Sequence, residues 1–237
     1  MKYYDEAKFD AVIRRFGLEV GQEARERLDA FAGMVVRKNE VMNLTNLTEP
    51  GDVAVKHLAD SLLLLQARGL PETARVLDVG TGAGFPAVPL AIARPGWRVT
   101  ALDATRKKID FIGEVKNELG VPERCVSGRA EDLGRTAEYR EQYDLVTARA
   151  VANLRVLSEL CLPMVKVGGV FAAMKGRTAK EELAEAEAHI RELGGQVEDV
   201  IEYTLDDSGE DRRAIVIVRK VSACPPKYPR SFGKMKS

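Results

Sequence analysis

Leu77–Ala93, "LDVGTGAGFPAVPLAIA", limits the fold more than any other stretch, because an apolar run ends in glycines at alternate positions, Gly80, Gly82 and Gly84, and apolar sequence then resumes. Glycine reaches positive φ without a steric penalty and lets backbone approach a ligand closely. The stretch therefore predicts a buried strand, a tight turn with amides facing outward, and a helix. The same rhythm continues along the chain. Strand candidates "RVLDVG", "WRVTALD", "RCVSG", "YDLVTARA" and "GVFAAMKG" alternate with helical segments that start near Ala87, Thr105, Asn153 and Thr178. That alternation is a βαβ progression with a mostly parallel sheet. The final candidates, "QVEDVIEYTL" and "RRAIVIVRK", flank the acidic turn "DDSGED" and predict a hairpin closing the sheet.

Residues 1–70 read as helices. "EARERLDAFAGMVVRKNEVM" places Leu28, Phe31, Met34 and Val35 on one apolar face, and "NLTNLTEPGD" supplies turn residues before a second helix over about Val53 to Arg68. Short helices bury little by themselves, so this segment is expected to cap an α/β domain over 71–220, with a basic tail over 221–237. From Arg219 onward the chain holds six Lys or Arg and no Asp or Glu, which suits phosphate contact and a solubilising tail equally. Across the whole chain 36 basic and 36 acidic side chains cancel, which argues against a polycationic binder. Apolar runs are far shorter than the roughly 20 residues of a membrane span, and no secretion signal is evident, so a cytoplasmic protein with no membrane partner is expected. Three cysteines, Cys125, Cys161 and Cys224, and two histidines, His57 and His189, match no metal signature.

The phase of the glycines separates possible ligands. A dinucleotide fingerprint begun at Gly80 needs glycine where Phe85 stands, and a phosphate loop needs a lysine that the turn lacks. S-adenosylmethionine fits better, since its carboxylate can meet the amides of the turn and it carries no pyrophosphate. Asp103 ends the next strand, 23 residues beyond Gly80, where an acid can receive ribose hydroxyls; capping the following helix is its alternative role. Ala130 and Glu131 follow the third strand at the same edge and are candidates for the adenine side, although Glu131 also suits a helix start.

The segment after the fourth strand, "YDLVTARAVANL", bears on the methyl acceptor. It lacks the Asn/Asp-Pro-Pro-aromatic element used on exocyclic amines, and it has no cysteine for attack on a pyrimidine carbon; Cys161 is expected in the core. Arg149 remains, a fixed cation suited to a phosphate, a carboxylate or a guanine edge, or else to an internal ion pair. Guanine N7 has a free lone pair and no proton to lose, so alignment and electrostatics suffice for its methylation.

At this point the chain resembles the bacterial small-subunit ribosomal RNA guanine-N7 methyltransferases of the glucose-inhibited division protein B type. "NLTNLTEP", "KHLADSL", "LDVGTGAGFPAVPLAIARP", "LDATRKKIDF", "GRAEDL", "TARAVANL", "AAMKG" and "YPRSFG" occur in that family's order. The resemblance implies a class I S-adenosylmethionine-dependent methyltransferase fold: a mostly parallel seven-stranded sheet, helices on both faces and an N-terminal helical extension. It implies a cofactor site at Gly80, Gly82, Gly84, Phe85, Asp103, Ala104, Thr105, Ala130, Glu131 and Arg149, with Arg149 also beside the reacting guanine. It implies a substrate in the 530 loop of 16S ribosomal RNA, met within a small-subunit particle or assembly intermediate, and RNA contacts at Arg129, Lys175 and Arg230. A monomer is expected. His57, Asp60 and Ser61 share a helix face where His57 can orient the acid or reach the glycine turn, and Asn43 and Asp78 are further supporting positions. The ending "PRSFGKMKS" departs from the family's usual one, so its last residues are expected to be disordered without RNA, and removal of 222–237 to leave the cofactor site formed. A small-molecule methyltransferase and a nonenzymatic RNA-binding module are the alternatives.

Overall fold

Strands β1 (Ala74–Val79), β2 (Trp97–Asp103), β3 (Arg124–Ser127), β4 (Tyr143–Arg149), β5 (Val165–Lys175), β6 (Gly195–Thr204) and β7 (Arg212–Lys220) form one sheet in the order β3-β2-β1-β4-β5-β7-β6 in the computed structural model. The structure describes residues 2–206 and 208–235, so Asp207 of the acidic turn and the tail residues Lys236 and Ser237 lie outside it. The first five strands run parallel, and β7 pairs antiparallel with both β5 and β6. The sequence reading starts the fifth strand at Gly169, but β5 begins at Val165 and carries Gly168, φ 86°, within it. Two adjacent glycines hid the start because they interrupt the side-chain pattern by which strands are read.

Helices α1 (Glu6–Arg15) and α2 (Gln22–Met42) precede the sheet. Of the predicted face, Leu28, Phe31 and Val35 are buried and Met34 lies at its edge. The predicted helix over Val53 to Arg68 is a composite: a short α3 (Pro50–Asp52), a π-helical Val53–Ala59, α4 (Asp60–Leu63) and a 3₁₀ turn Leu64–Gln66. Every residue from His57 to Leu64 is buried, so this segment crosses the interior and carries polar side chains in with it. Helices α5 (Ala87–Ala93), α6 (Arg106–Leu119), α7 (Ala130–Leu133), α8 (Leu154–Cys161), α9 (Ala179–Glu192) and α10 (Phe232–Met235) complete the chain.

Two apolar layers hold the sheet. On one side Phe9, Phe31, Leu58, Leu62, Val88 and Ile112 belong to a single cluster, so the N-terminal helices share their core with α5, α6 and the sheet. On the other, Leu157, Ile190, Phe171 and Val218 join α8 and α9 to the strands. With both faces covered, the middle of the central strands is mostly buried, and Asp103 and Arg149 stand at the carboxyl ends of β2 and β4. No helix among the described residues is long and apolar enough to cross a membrane.

Candidate cofactor pocket and active site

The glycine turn leaves β1 with φ of 74°, 59° and 100° at Gly80, Gly82 and Gly84. The amides of Gly80 and Thr81 donate to the Leu102 carbonyl at 2.8 and 2.9 Å, which fixes the turn to the end of β2. Asp103, 8% exposed, completes this tie: Oδ2 accepts the Gly82 amide at 3.0 Å and Oδ1 the Thr105 amide at 2.8 Å. Thr105 is the N-cap residue of α6, so Asp103 orders the entry to that helix while facing a cavity.

That cavity, about 170 Å³, is lined by Gly80, Asp103, Ala104, Arg129, Ala130 and Glu131. The turn, the acid of β2 and the residues after β3 thus meet at one place, as the strand ends predict. Val151, Leu160 and Phe232 also line it, and sequence reasoning named none of them. A volume below the roughly 300 Å³ at which small-molecule pockets begin suits part of a cofactor such as a nucleoside.

Asp78, on β1 beneath the turn, is fully buried, and neither carboxylate oxygen has a hydrogen-bond partner. Burial pushes its pKa up to about 7, and the nearby Thr81 hydroxyl, Arg149 charge and Ala87 amide offset only part of that rise. The expected outward-facing amides are not what the turn presents, because those of Gly80, Thr81, Gly82, Gly84 and Phe85 are bonded to Leu102, Asp103 and Thr81 within the protein; the unpaired Asp78 carboxyl is the group that suits a ligand, through the ammonium at the methionine end of S-adenosylmethionine.

Arg149 ends β4 with its side chain 15% exposed. Its Nη1 donates to Asp60 Oδ2 and to the Lys56 carbonyl, each at 3.0 Å. Asp60 also accepts from Tyr203 Oη at 2.8 Å and Arg213 Nη1 at 3.2 Å. A buried carboxylate thereby holds two guanidiniums, so the ion-pair reading of Arg149 is met, and Arg149 does not line the cavity at Asp103. Arg149 and Ala150 line a second cavity of about 390 Å³ with Lys175, Arg177, Arg212 and Arg213. The loop from Arg149 to Val151 therefore stands between two cavities.

His57 reaches the glycine turn and does not bond Asp60. Its ring stacks on Phe85 with centroids 4.5 Å apart and planes 10° apart. Burial, then the Arg149 charge, lower its pKa to about 4, which keeps the imidazole neutral near pH 7. Nδ1 lies 3.4 Å from Arg149 Nη2 and Nε2 lies 2.9 Å from Thr45 Oγ1, so the proton belongs on Nε2.

Several expectations change. Ser61 Oγ donates to the His57 carbonyl at 2.6 Å, a bond within its own helix. Asn43 is exposed and ends α2 in the left-handed region, φ 49°, a backbone role that Asn tolerates well. Lys175, expected to contact RNA, is 9% exposed; it pairs with Glu182 at 2.7 Å and donates to the Ala152 carbonyl at 2.8 Å, bracing the loop after β4. Arg230 is likewise committed inward, to Glu159. Arg129 stays at the rim, 54% exposed, and bonds Glu131 at 2.6 Å. Cys161 is fully buried, as expected of a core thiol. Tyr203 and Arg213 were missed because their partner, Asp60, lies more than 140 residues away in sequence.

A parallel sheet closed by an antiparallel hairpin, with a glycine turn after β1 and an acid ending β2, is the class I S-adenosylmethionine-dependent methyltransferase fold. Solved structures agree on the fold: TrmN from Thermus thermophilus superposes with TM-score 0.52 at 23% identity, covering 69% of this chain and 48% of that one. Geranyl diphosphate C-methyltransferase from Streptomyces coelicolor, in complex with Mg²⁺, geranyl diphosphate and S-adenosyl-L-homocysteine, gives 0.52 at 14% identity, over 69% of this chain and 80% of that one. Residues 24–213 match the family model of rRNA small subunit methyltransferase G. The chain is 42% identical over 228 residues to ribosomal RNA small subunit methyltransferase G of Lactobacillus johnsonii, covering 95% of each. It is 44% identical over 206 residues to that of Thermoanaerobacter sp., covering 86% of this chain and 85% of the relative. The chain belongs to the rRNA small subunit methyltransferase G family.

Proposed function

We propose that the protein transfers the methyl group of S-adenosylmethionine to N7 of a guanine in the 530 loop of 16S ribosomal RNA. The observation that carries this reading is the pair of cavities on either side of the Arg149 loop. One offers Asp103 to a ribose and Ala130 with Glu131 to an adenine, with Gly80, Gly82, Gly84 and Phe85 forming the turn beside it. The other presents a fixed cation and contains neither a cysteine nor a histidine. When bound, S-adenosylmethionine supplies an electrophilic methyl on a sulfonium. The chain's own task is to align acceptor and donor, which needs no proton transfer at guanine N7. Arg149, pre-set by Asp60, is placed to meet the guanine edge. His57, neutral and stacked on Phe85, holds the turn and adds no second charge.

With Lys175 held by Glu182 and Arg230 by the buried Glu159, phosphate contact falls to other cations at the same edge. Lys107 in the first turn of α6, Arg155 in the first turn of α8 and Arg177 before α9 are exposed and make no ion pair among the described residues. Cations at helix starts oppose the helix dipole, so their placement there favours an anionic partner over helix stability.

The test is incubation with labelled S-adenosylmethionine and unmodified 16S RNA or small subunits, followed by mapping of the modified nucleotide. Label confined to N7 of one guanine in the 530 loop is the expected result. Label on another atom or base overturns the acceptor assignment, and label on free metabolites with none on RNA overturns the substrate class.

A further inference from the structure

The C-terminal segment reaches the cofactor cavity. Phe232 lines it together with Asp103, Ala130 and Glu131, and the Arg129 guanidinium lies 5.5 Å from the Phe232 ring centroid while bonding Glu131. Phe232 therefore belongs to the Glu131 side of the cavity. What brings it there is a buried charge clasp. Arg230 donates to Glu159 through its amide at 2.6 Å, through Nε at 3.0 Å and through Nη2 at 2.7 Å; the Glu159 side chain is 1% exposed and also meets His189 Nε2 at 3.0 Å. Burial pushes the Glu159 carboxyl up, but the bonds from Arg230 and His189 outweigh it and hold the group below its ordinary value. Upstream, Arg140 donates to the carbonyls of Cys224, Pro225 and Tyr228. Glu159 precedes Leu160, itself a wall of the cavity, so clasp and wall are adjacent on α8.

We propose that Phe232 is a cofactor-binding residue, an aromatic wall for the adenine, and that Glu159 and Arg230 are positioning residues that set it in place. The proposal rests on the reading of this cavity as the S-adenosylmethionine site. It assigns Arg230 to the cofactor side of the reaction and withdraws it from RNA contact. It also reverses the expectation that removal of 222–237 leaves the cofactor site formed, since that removal takes away one wall.

Calorimetric titration of the full chain with S-adenosylhomocysteine, and separately with adenosine, tests this. Phe232→Ala is expected to weaken both ligands about tenfold, as loss of a base-stacking aromatic does, with Phe232→Tyr restoring most of the loss. Glu159→Gln is expected to weaken both ligands through the released segment, with the fold retained by circular dichroism. Phe232→Trp supplies a second measurement, because its added indole emission should change on titration with S-adenosylhomocysteine beyond any change of Trp97 in the parent protein. Unchanged affinities in folded Phe232→Ala together with a silent Phe232→Trp overturn the proposal. Unchanged cofactor affinity in Arg230→Ala with loss of RNA binding overturns the assignment of Arg230. Failure of the parent protein to bind S-adenosylhomocysteine refutes the functional reading itself, a different outcome.

Discussion

Asp78 and His57 are buried with opposite consequences for the pH dependence of stability. Asp78 titrates near 3.8 when unfolded and near 7 in the fold, so between those values the folded state holds a proton that the unfolded state has lost. Stability from this group is complete below about pH 4 and is lost as pH rises through 7, by on the order of 4 kcal/mol. His57 titrates near 6.5 unfolded and near 4 folded, so the unfolded state gains the proton first, and stability falls as pH drops from 6.5 to 4, by on the order of 3 kcal/mol. Between about pH 4 and 6.5 the two slopes are equal and opposite, so together the pair leaves the stability of the ligand-free protein nearly level there. Asp78→Asn should raise its melting temperature at pH 8 and do so much less at pH 5, while weakening S-adenosylhomocysteine binding; an equal change at both pH values would refute the burial argument. Arg149→Ala should lower methyl transfer at least 100-fold with a smaller loss of stability, because Tyr203 and Arg213 still satisfy Asp60. Turnover of the folded variant at the parental rate would remove Arg149 from the active site. Strand-end position made it legible in the sequence that Asp103 and Glu131 would meet at one cavity. Arg213, Tyr203 and Phe232 were not, because nothing local marks a partner that tertiary folding supplies.

Among the elements, the glycine turn separates conformational need from crowding. A Cβ on Gly84 would lie 3.0 Å from both Ile112 Cδ1 and Val88 Cγ2 and 3.1 Å from Phe31 Cζ, at a φ of 100° that non-glycine residues avoid. At Gly82 the nearest neighbour is the Gly80 carbonyl at 3.9 Å, and φ is 59°, within the left-handed region that other residues reach at about 1–2 kcal/mol. Gly84→Ala should therefore destabilise clearly more than Gly82→Ala in urea unfolding, although sequence spacing treats the two alike; equal midpoints would show that the packing around Gly84 yields. The strand and helix order was readable because period and glycine phase are local properties. The π-helical stretch that turns His57 and Asp60 inward was not, since its backbone is set by what the side chains meet inside the protein.

For the whole molecule, a balanced total of charge conceals a partition. Among the described residues many cations face carboxylates inside the fold or at its surface, while Lys107, Arg155 and Arg177 at the sheet's carboxyl edge do not. If each neutralises one phosphate of a single strand, replacing any one by Ala should reduce the slope of log affinity against log salt by about 0.7. Cofactor affinity should stay at the parental value. Unchanged slopes in all three variants would place the RNA path elsewhere.

The bond between Asp60 and Arg213 also has a meaning in time. During synthesis the buried segment around Asp60 emerges 153 residues before Arg213, an interval of roughly 8–30 s at ordinary elongation rates. Arg149 follows Asp60 by 89 residues and Arg213 by 153, so through that interval the nascent chain holds an acid whose set of cations is incomplete, next to apolar helices whose sheet is unfinished. The N-terminal quarter should therefore stay protease-sensitive on stalled ribosomes until Arg213 has left the exit tunnel, and become protected in one step afterwards. Protection of residues 50–66 in shorter nascent chains would show instead that these helices fold ahead of the sheet.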